Sequence, residues 1–174
     1  LTWFLCVSTL SEVMTCTDRP RDCDSAWAYA SGGTARGEPR GLGRMVRELG
    51  VETWDRGYDG ALAVRCWRNL DHETGVATDL ALRDRAREQL YRALLRGVAL
   101  VLRQRVAELS CSSGEALEAR FATLQVLGPL LDRAARERSP AQADVLAQAA
   151  AATAPGAVDG RATLAALDAL FSCP

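Results

Sequence analysis

The fold is decided by residues 78–110, which read TDLALRDRAREQLYRALLRGVALVLRQRVAELS. Apolar side chains recur in this stretch every three or four residues, and at about 100° per residue they fall on one broad face. The members of that face are Leu80, Tyr91, Leu94, Val98, Val101, Leu102 and Leu109. The pattern predicts a helix on the order of 50 Å long, with Thr78 as its N-cap.

Helix signals continue after this stretch. Ser112 and Glu115 have the spacing of a capping box, in which each side chain satisfies a free backbone amide of the other residue. The helix that follows should kink at Pro129, because proline removes a backbone donor and crowds the preceding turn. Ser139 and Pro140 then carry the start signal of another helix, and the last one covers residues near the end of the chain, 161–171.

The first part of the chain gives weaker signals. We predict a core helix that runs towards Cys16, a loop-rich connection over residues 17–40, a short helix over 40–49 and a helix over 59–70. Glycines and prolines in 17–40 are the reason for assigning a loop there.

No segment shows the alternation of apolar and polar residues that marks a half-buried strand. The sequence therefore predicts an all-α chain, a single domain of residues 1–174. Its expected architecture is an up-and-down helical bundle with two long helices in the C-terminal half and a loop-rich N-terminal third. Residues 78–138 would form a long helical hairpin, because the short connection around Cys111 makes successive helices antiparallel neighbours.

Composition limits the classes of function. The 174 residues include 21 basic and 22 acidic groups, so the bulk charge gives no reason to expect binding to nucleic acid. No apolar run approaches the roughly 20 residues of a membrane span. Lysine and isoleucine are absent, which favours coding bias over functional selection as the source of the many arginines.

The chain has an even number of cysteines, which permits up to three disulfides in an oxidising compartment. They are Cys6, Cys16, Cys23, Cys66, Cys111 and Cys173. Cys16 and Cys23 flank a turn and are the expected local pair. Bridged cysteines would favour a secreted protein, and localisation is otherwise left open. The apolar run LTWFLCV at residues 1–7 resembles a signal remnant, but a core helix is favoured because a basic flank is missing.

Catalytic signals are weak. His72 is the only histidine, and it lies between Asp71 and Glu73. Consecutive residues on a helix point in different directions, so these three side chains cannot converge there on one ion. The sequence therefore predicts no catalytic residue, no metal site and no cofactor. A small hydrolase that uses His72 is the weakest alternative.

The strongest non-core pattern is a row of arginines on the long helix. Its members fall within about 40° of one another, away from the apolar stripe, and are Arg85, Arg92, Arg96 and Arg103. A row of one sign could dock an acidic partner, and the alternative is an ordinary solvated face.

The tryptophans lie in the first 67 residues. We assign Trp27 and Trp54 to an interaction surface, because large aromatic side chains contribute much of the binding energy at interfaces. Trp3 and Trp67 are assigned to the core.

These patterns favour a non-catalytic protein that contacts another protein as an accessory or structural subunit of a larger assembly. The alternative is a secreted, disulfide-braced ligand or decoy that binds a receptor. Its capped helices and turn cysteines, such as Cys111, resemble those of bundle-forming cytokines in a general way. The oligomeric state is left open.

Overall fold

The computed structural model describes residues 1–70 and 78–172, and within them the prediction of an all-α fold is confirmed, since no strand occurs there. The helices are α1 (Thr2–Thr15), α2 (Pro20–Ser31), α3 (Gly41–Leu49), α4 (Val51–Arg68), α5 (Leu80–Leu109), α6 (Gly114–Leu127), α7 (Asp132–Arg138), α8 (Pro140–Ala150) and α9 (Gly160–Phe171). The Asp71, His72 and Glu73 cluster and Cys173 lie outside the described residues.

The chain divides into two compact units, Leu1–Gly97 and Val98–Pro174, and the dividing point falls within α5. In the first unit, α1 packs on α2 and α3, and both of these pack on α4. In the second unit, α8 packs against α6, α7 and α9.

The loop predicted for residues 17–40 is wrong over half its length, because α2 occupies Pro20–Ser31. Pro20 starts this helix and Gly32, at φ 72°, ends it in the left-handed conformation. Its buried stripe includes Cys23, Ala26 and Ala30. These side chains are small, so the stripe is weak in a hydrophobic pattern.

Helix α4 begins at Val51, eight residues before the predicted start. The helical spacing of Leu62, Cys66, Trp67 and Leu70 predicts that these side chains share one apolar side, which is partly wrong because Cys66 and Leu70 are exposed. The face that is buried includes Gly57 and Gly60, which a sequence pattern scores as helix breakers.

Two of the predicted helix starts are corrected. The backbone N–H of Leu82 donates to Asp79 Oδ1 at 2.8 Å, so Asp79 rather than Thr78 caps α5. The capping box does not form, because the Ser112 hydroxyl donates to the Glu108 carbonyl oxygen at 2.6 Å instead.

Two other signals are confirmed. The Ser139 hydroxyl accepts a hydrogen bond from the Gln142 N–H at 3.5 Å at the start of α8. Next to Pro129, α6 ends and a 3-10 turn, Gly128–Leu131, separates it from α7. Proline therefore interrupts the regular helix where the sequence predicts a kink.

Two helix starts in the second unit allow a matched test of capping. Asp159 Oδ1 accepts from the Ala162 N–H at 2.9 Å at the start of α9, whereas Ser113 at the start of α6 makes no side-chain capping bond within the described residues. We expect Asp159→Ala to lower the free energy of unfolding by about 1 kcal/mol and Ser113→Ala to leave it nearly unchanged. Urea unfolding followed by circular dichroism measures both. Equal losses would contradict the assigned caps.

Candidate functional site

The arginine row on α5 contains two arginines that pair with carboxylates. Arg92 pairs with Glu88 one turn earlier on the same helix. Arg103 donates from Nε and Nη2 to the two carboxylate oxygens of Asp168 at 2.6 and 3.2 Å. The hydrogen bond and charge of Asp168 raise the pKa of Arg103. These two positions are therefore locally neutralised.

The other two members of the row differ from each other. Arg96 Nε donates to the Thr53 hydroxyl oxygen at 3.1 Å and so braces α5 against α4. Arg85 is exposed and has no side-chain partner among the described residues. The structure therefore does not present a uniform basic ridge, and docking through this row stays a prediction.

The assignment of Trp54 to an interaction surface is wrong, since this side chain is 3% exposed. Its Nε1 donates to the Arg36 carbonyl oxygen at 2.8 Å. The ring lies over Gly43, where an added Cβ would come within 2.5 Å of it. Because Gly43 has no side chain, the ring of Trp54 fits against it and is buried in the core of the first unit.

The remaining tryptophans separate by burial. Trp27 is half-buried, and the Arg65 guanidinium lies 5.1 Å above its ring. Trp67 is 1% exposed, as predicted for a core residue. Trp3 was predicted to be buried and is instead 44% exposed. The face of α1 that carries Trp3 is therefore not fully covered by the protein's own core.

An apolar face on α1 is the feature that the sequence analysis missed. Trp3, Val7, Leu10 and Met14 are spaced by four, three and four residues and fall within about 60° of one another. Val7 and Leu10 are half-buried, and Met14 is 69% exposed. We call these four residues the α1 apolar face. Glu12 is the only charged side chain of the helix.

The sequence signal that predicts this face is the width of the apolar arc around α1. Helix α1 buries Cys6, Thr9 and Val13 on one arc, and the α1 apolar face lies on the arc beside it. Together the two arcs are wider than the apolar stripe by which a surface helix normally packs on the core of its own protein. A helix that is apolar over so wide an arc indicates a second contact.

The turn that follows α1 is anchored by two arginines of α5. Arg83 Nη1 and Arg87 Nη2 donate to the Thr17 hydroxyl oxygen at 3.0 and 2.9 Å. Arg87 Nη2 also donates to the Met14 carbonyl oxygen at 3.1 Å. Burial, followed by the charge of Arg83, lowers the pKa of Arg87. These bonds fix the end of the helix that carries Met14.

A cleft of about 460 Å³ lies at the start of α3. Three arginines line it: Arg40, which is the N-cap residue of α3, and Arg44 and Arg47 within the helix. We call it the arginine cleft. Arg44 Nε donates to Glu48 Oε1 at 2.8 Å, and this bond raises the pKa of Arg44. Arg40 and Arg47 have no side-chain partner in the part of the chain that the structure describes.

The expected local cysteine pair is confirmed. Cys16 and Cys23 lie at disulfide-bonding distance, with their Cα atoms 4.9 Å apart. Cys6 is free and buried, and burial raises the pKa of its thiol to about 11. Cys66 and Cys111 are free and exposed, so the expectation that the turn position of Cys111 indicates a bridge is not met among the described residues.

The difference between the free thiols predicts selective alkylation. With iodoacetamide near pH 8, Cys66 and Cys111 should react within minutes to hours, and Cys6 only after denaturation, because its thiolate is suppressed and inaccessible. Peptide mass spectrometry measures the order. Equal reaction of all three thiols in the folded chain would contradict this order.

The raised pKa of Cys6 also makes the free energy of unfolding depend on pH. Because the folded pKa is about 11, the contribution of Cys6 to stability is complete below the unfolded pKa of about 8.5 and is lost as the pH rises to about 11.

In the second unit, Glu108 forms ion pairs with two arginines. Glu108 Oε2 accepts from Arg105 Nη1 at 3.0 Å and from Arg120 Nε at 2.7 Å. The hydrogen bond from Arg120 is the main cause of the lowered pKa of Glu108. Because Oε2 accepts from two cations of the same unit, we assign Glu108 to stability.

Across residues 1–70 and 78–172, no group of three or more His, Cys, Asp or Glu side chains is arranged to hold a metal ion. Over the same residues, every helix falls short of the length and apolar character that crossing a membrane requires. The sequence matches no protein-family model, no curated protein and no solved structure.

Proposed function

We propose that this chain is a non-catalytic helical-bundle protein that acts through contacts with another protein, as an accessory or structural subunit of a larger assembly. The observation that supports the proposal is the exposure of the α1 apolar face. Trp3 and Met14 of this face are exposed, and two further exposed apolar side chains, Leu1 and Phe4, lie at the start of the same helix outside the face. The other large exposed apolar side chains among the described residues are Val51, Leu70, Leu80 and Val126, which come from separate parts of the chain.

The chemistry of this face suits a protein partner. Helix-in-groove recognition uses anchors about one turn apart on one face, which is the spacing of Trp3, Val7, Leu10 and Met14. Tryptophan is a frequent hot-spot residue, and methionine adapts its shape to a partner surface. Glu12 is the one charge on the helix, so little charge would have to be desolvated on binding.

The helix that carries this face is held in place before any partner binds. The Cys16–Cys23 pair joins the end of α1 to α2. At the other end, the Thr2 hydroxyl lies 3.3 Å from Met45 Sδ on α3. A partner would therefore bind a fixed surface, and less conformational entropy would be lost on association.

The proposal is tested with matched double variants. Trp3→Ser/Met14→Ser removes both ends of the α1 apolar face, and Leu80→Ser/Val126→Ser removes two exposed apolar side chains elsewhere. Each protein is cross-linked in an extract of its source cells, and its bound proteins are identified by mass spectrometry. We expect a partner that the wild type and the control retain and the α1 variant loses. Identical binding by both variants would refute the proposal.

A secreted ligand or decoy that binds a receptor is the second candidate, and the Cys16–Cys23 pair favours it. Mass spectrometry of native material with and without reductant counts the free thiols. An oxidised Cys16–Cys23 pair in native material would support this candidate, and six free thiols would remove it.

The arginine row on α5 is a separate hypothesis about the contact. If the row docks an acidic partner, Arg92→Ala/Arg96→Ala should weaken binding of the captured partner at low salt. Unchanged binding would identify this part of α5 as ordinary surface. Circular dichroism is the necessary control, because Arg96 also contacts Thr53.

A further inference from the structure

We propose that the arginine cleft binds carboxylates on an acidic, amphipathic helix of the partner protein. The inference rests on the proposed function and adds the chemistry of the partner. The cleft lies on α3, next to the helix that carries the α1 apolar face.

The first support is the state of the arginines. Most arginines in the described residues contact a carboxylate, a carbonyl or an aromatic ring, as Arg36 does with Asp59 and Arg65 with Asp24. The ones without a side-chain partner in those residues are Arg19, Arg40, Arg47, Arg85 and Arg161. Two of these, Arg40 and Arg47, line one cleft. Guanidinium groups are planar donors that match carboxylates, so the cleft presents two open positions for them.

The second support is the rigidity of the cleft wall. The Arg40 N–H donates to the Ser31 carbonyl oxygen at 3.0 Å. The Thr34 hydroxyl lies 2.9 Å from the Ser31 carbonyl oxygen and 2.7 Å from that of Glu38. Gly32 has φ 72°, and a Cβ there would lie 2.5 Å from the Arg40 Cβ, so the loop closes tightly on itself. The cleft is therefore formed before a ligand binds.

The third support is the placement of the two open arginines. Arg40 is the N-cap residue of α3 and Arg47 lies in its last turn, so the two residues lie at opposite ends of this helix. A partner helix that carries two carboxylates on one face, for example seven residues apart, could offer one to each arginine. Arg44 lies between them and is held by Glu48. Glu38 is the other acid of the cleft, so its lining keeps a net positive charge.

The fourth support is the apolar surface beside the cleft. A Cβ on Gly41 would lie 2.8 Å from Leu5 Cδ1, which places the start of α3 against the first turns of α1. Leu1, one turn before Leu5 on the same side of the helix, is exposed. A helix with acids on one face and apolar side chains beside them could contact both surfaces. A membrane fits less well, because helices that bind membrane surfaces carry basic residues on their polar face and α1 carries only Glu12.

The test uses a fluorescein-labelled synthetic amphipathic helix with two glutamates seven positions apart, and the same peptide with glutamines. Fluorescence anisotropy with the full chain at low salt measures binding. We expect the glutamate peptide to bind at least about tenfold more tightly than the glutamine peptide. Arg40→Glu/Arg47→Glu should remove most of this preference, and Arg40→Gln/Arg47→Gln should reduce it without reversing the charge. The matched control Arg19→Glu/Arg161→Glu should change binding less than about twofold.

Three results of this experiment would overturn the inference. They are a lack of saturable binding by the glutamate peptide, equally tight binding of the two peptides, or a loss of affinity for the glutamate peptide in the control variant as large as that in Arg40→Glu/Arg47→Glu. Displacement of the peptide by an equal concentration of inorganic phosphate would show a site for a free anion. Binding to phosphatidylserine-containing vesicles in place of the peptide would show a membrane surface. If Arg40→Glu/Arg47→Glu keeps the captured native partner and the α1 variant loses it, this inference fails and the proposed function stands. If both variants keep that partner, both fail.

Discussion

Replacing Gly60 with alanine is expected to lower the free energy of unfolding of the first unit by about 3 kcal/mol. A Cβ at this position would lie 2.7 Å from the backbone nitrogen of Leu90 and 2.8 Å from its Cα. These are atoms of the α5 backbone and cannot rotate away, so α4 and α5 would have to separate. That movement would expose Leu90, which is fully buried.

Gly57→Ala is the matched control for this prediction, one turn earlier on α4. A Cβ there would meet the Ala93 Cβ at 3.6 Å, which is an ordinary contact. Because glycine disfavours a helix interior, this change should stabilise the protein by about 0.5–1 kcal/mol. Chemical denaturation followed by circular dichroism measures both variants. Effects of equal size and sign would refute the close crossing of α4 and α5.

Trp67→Ala is expected to cost about 3–5 kcal/mol, the usual range for removing a buried aromatic ring. Trp67 is 1% exposed, and its Nε1 donates to the Asp79 carbonyl oxygen at 2.7 Å. Asp79 also caps α5. The substitution therefore removes core volume and the tie between the end of α4 and the start of α5.

Trp3→Ala is the control for Trp67, since it removes the same side chain from an exposed position. We expect a change of about 1 kcal/mol or less. Trp67→Phe separates the two contributions at the buried site, because it keeps most of the ring and loses the hydrogen bond. Equal losses for Trp3→Ala and Trp67→Ala in denaturant titrations would contradict the assigned burial.

A helix could be predicted from the sequence where its buried face carries large apolar side chains. Helix α5 is dominated by leucine and valine at helical spacing, and its pattern is clear over 30 residues. Helices α2 and α4 pack through Ala26, Ala30, Gly57 and Gly60, which a hydrophobic pattern reads as neutral or as helix breakers. Close packing of small residues depends on the partner helix, and one sequence does not contain that information.

The site was harder to predict for the same reason. Trp54 is buried because Gly43 leaves room for its ring, and that neighbour is set by tertiary packing. Arg103 is neutralised by Asp168, a residue 65 positions away. The spacing of Trp3 and Met14 was visible in the sequence, but their exposure depends on which helices cover α1.

The most direct test of the proposed contact is hydroxyl-radical footprinting of Trp3 and Met14. Both side chains oxidise readily and both are exposed in the isolated chain. The rates are compared between the isolated chain and the complex recovered from source cells, with Leu80 and Val126 as exposed references. A contact through the α1 apolar face predicts several-fold slower oxidation of Trp3 and Met14 in the complex, with unchanged references. Unchanged oxidation of Trp3 and Met14 in an intact complex would contradict it.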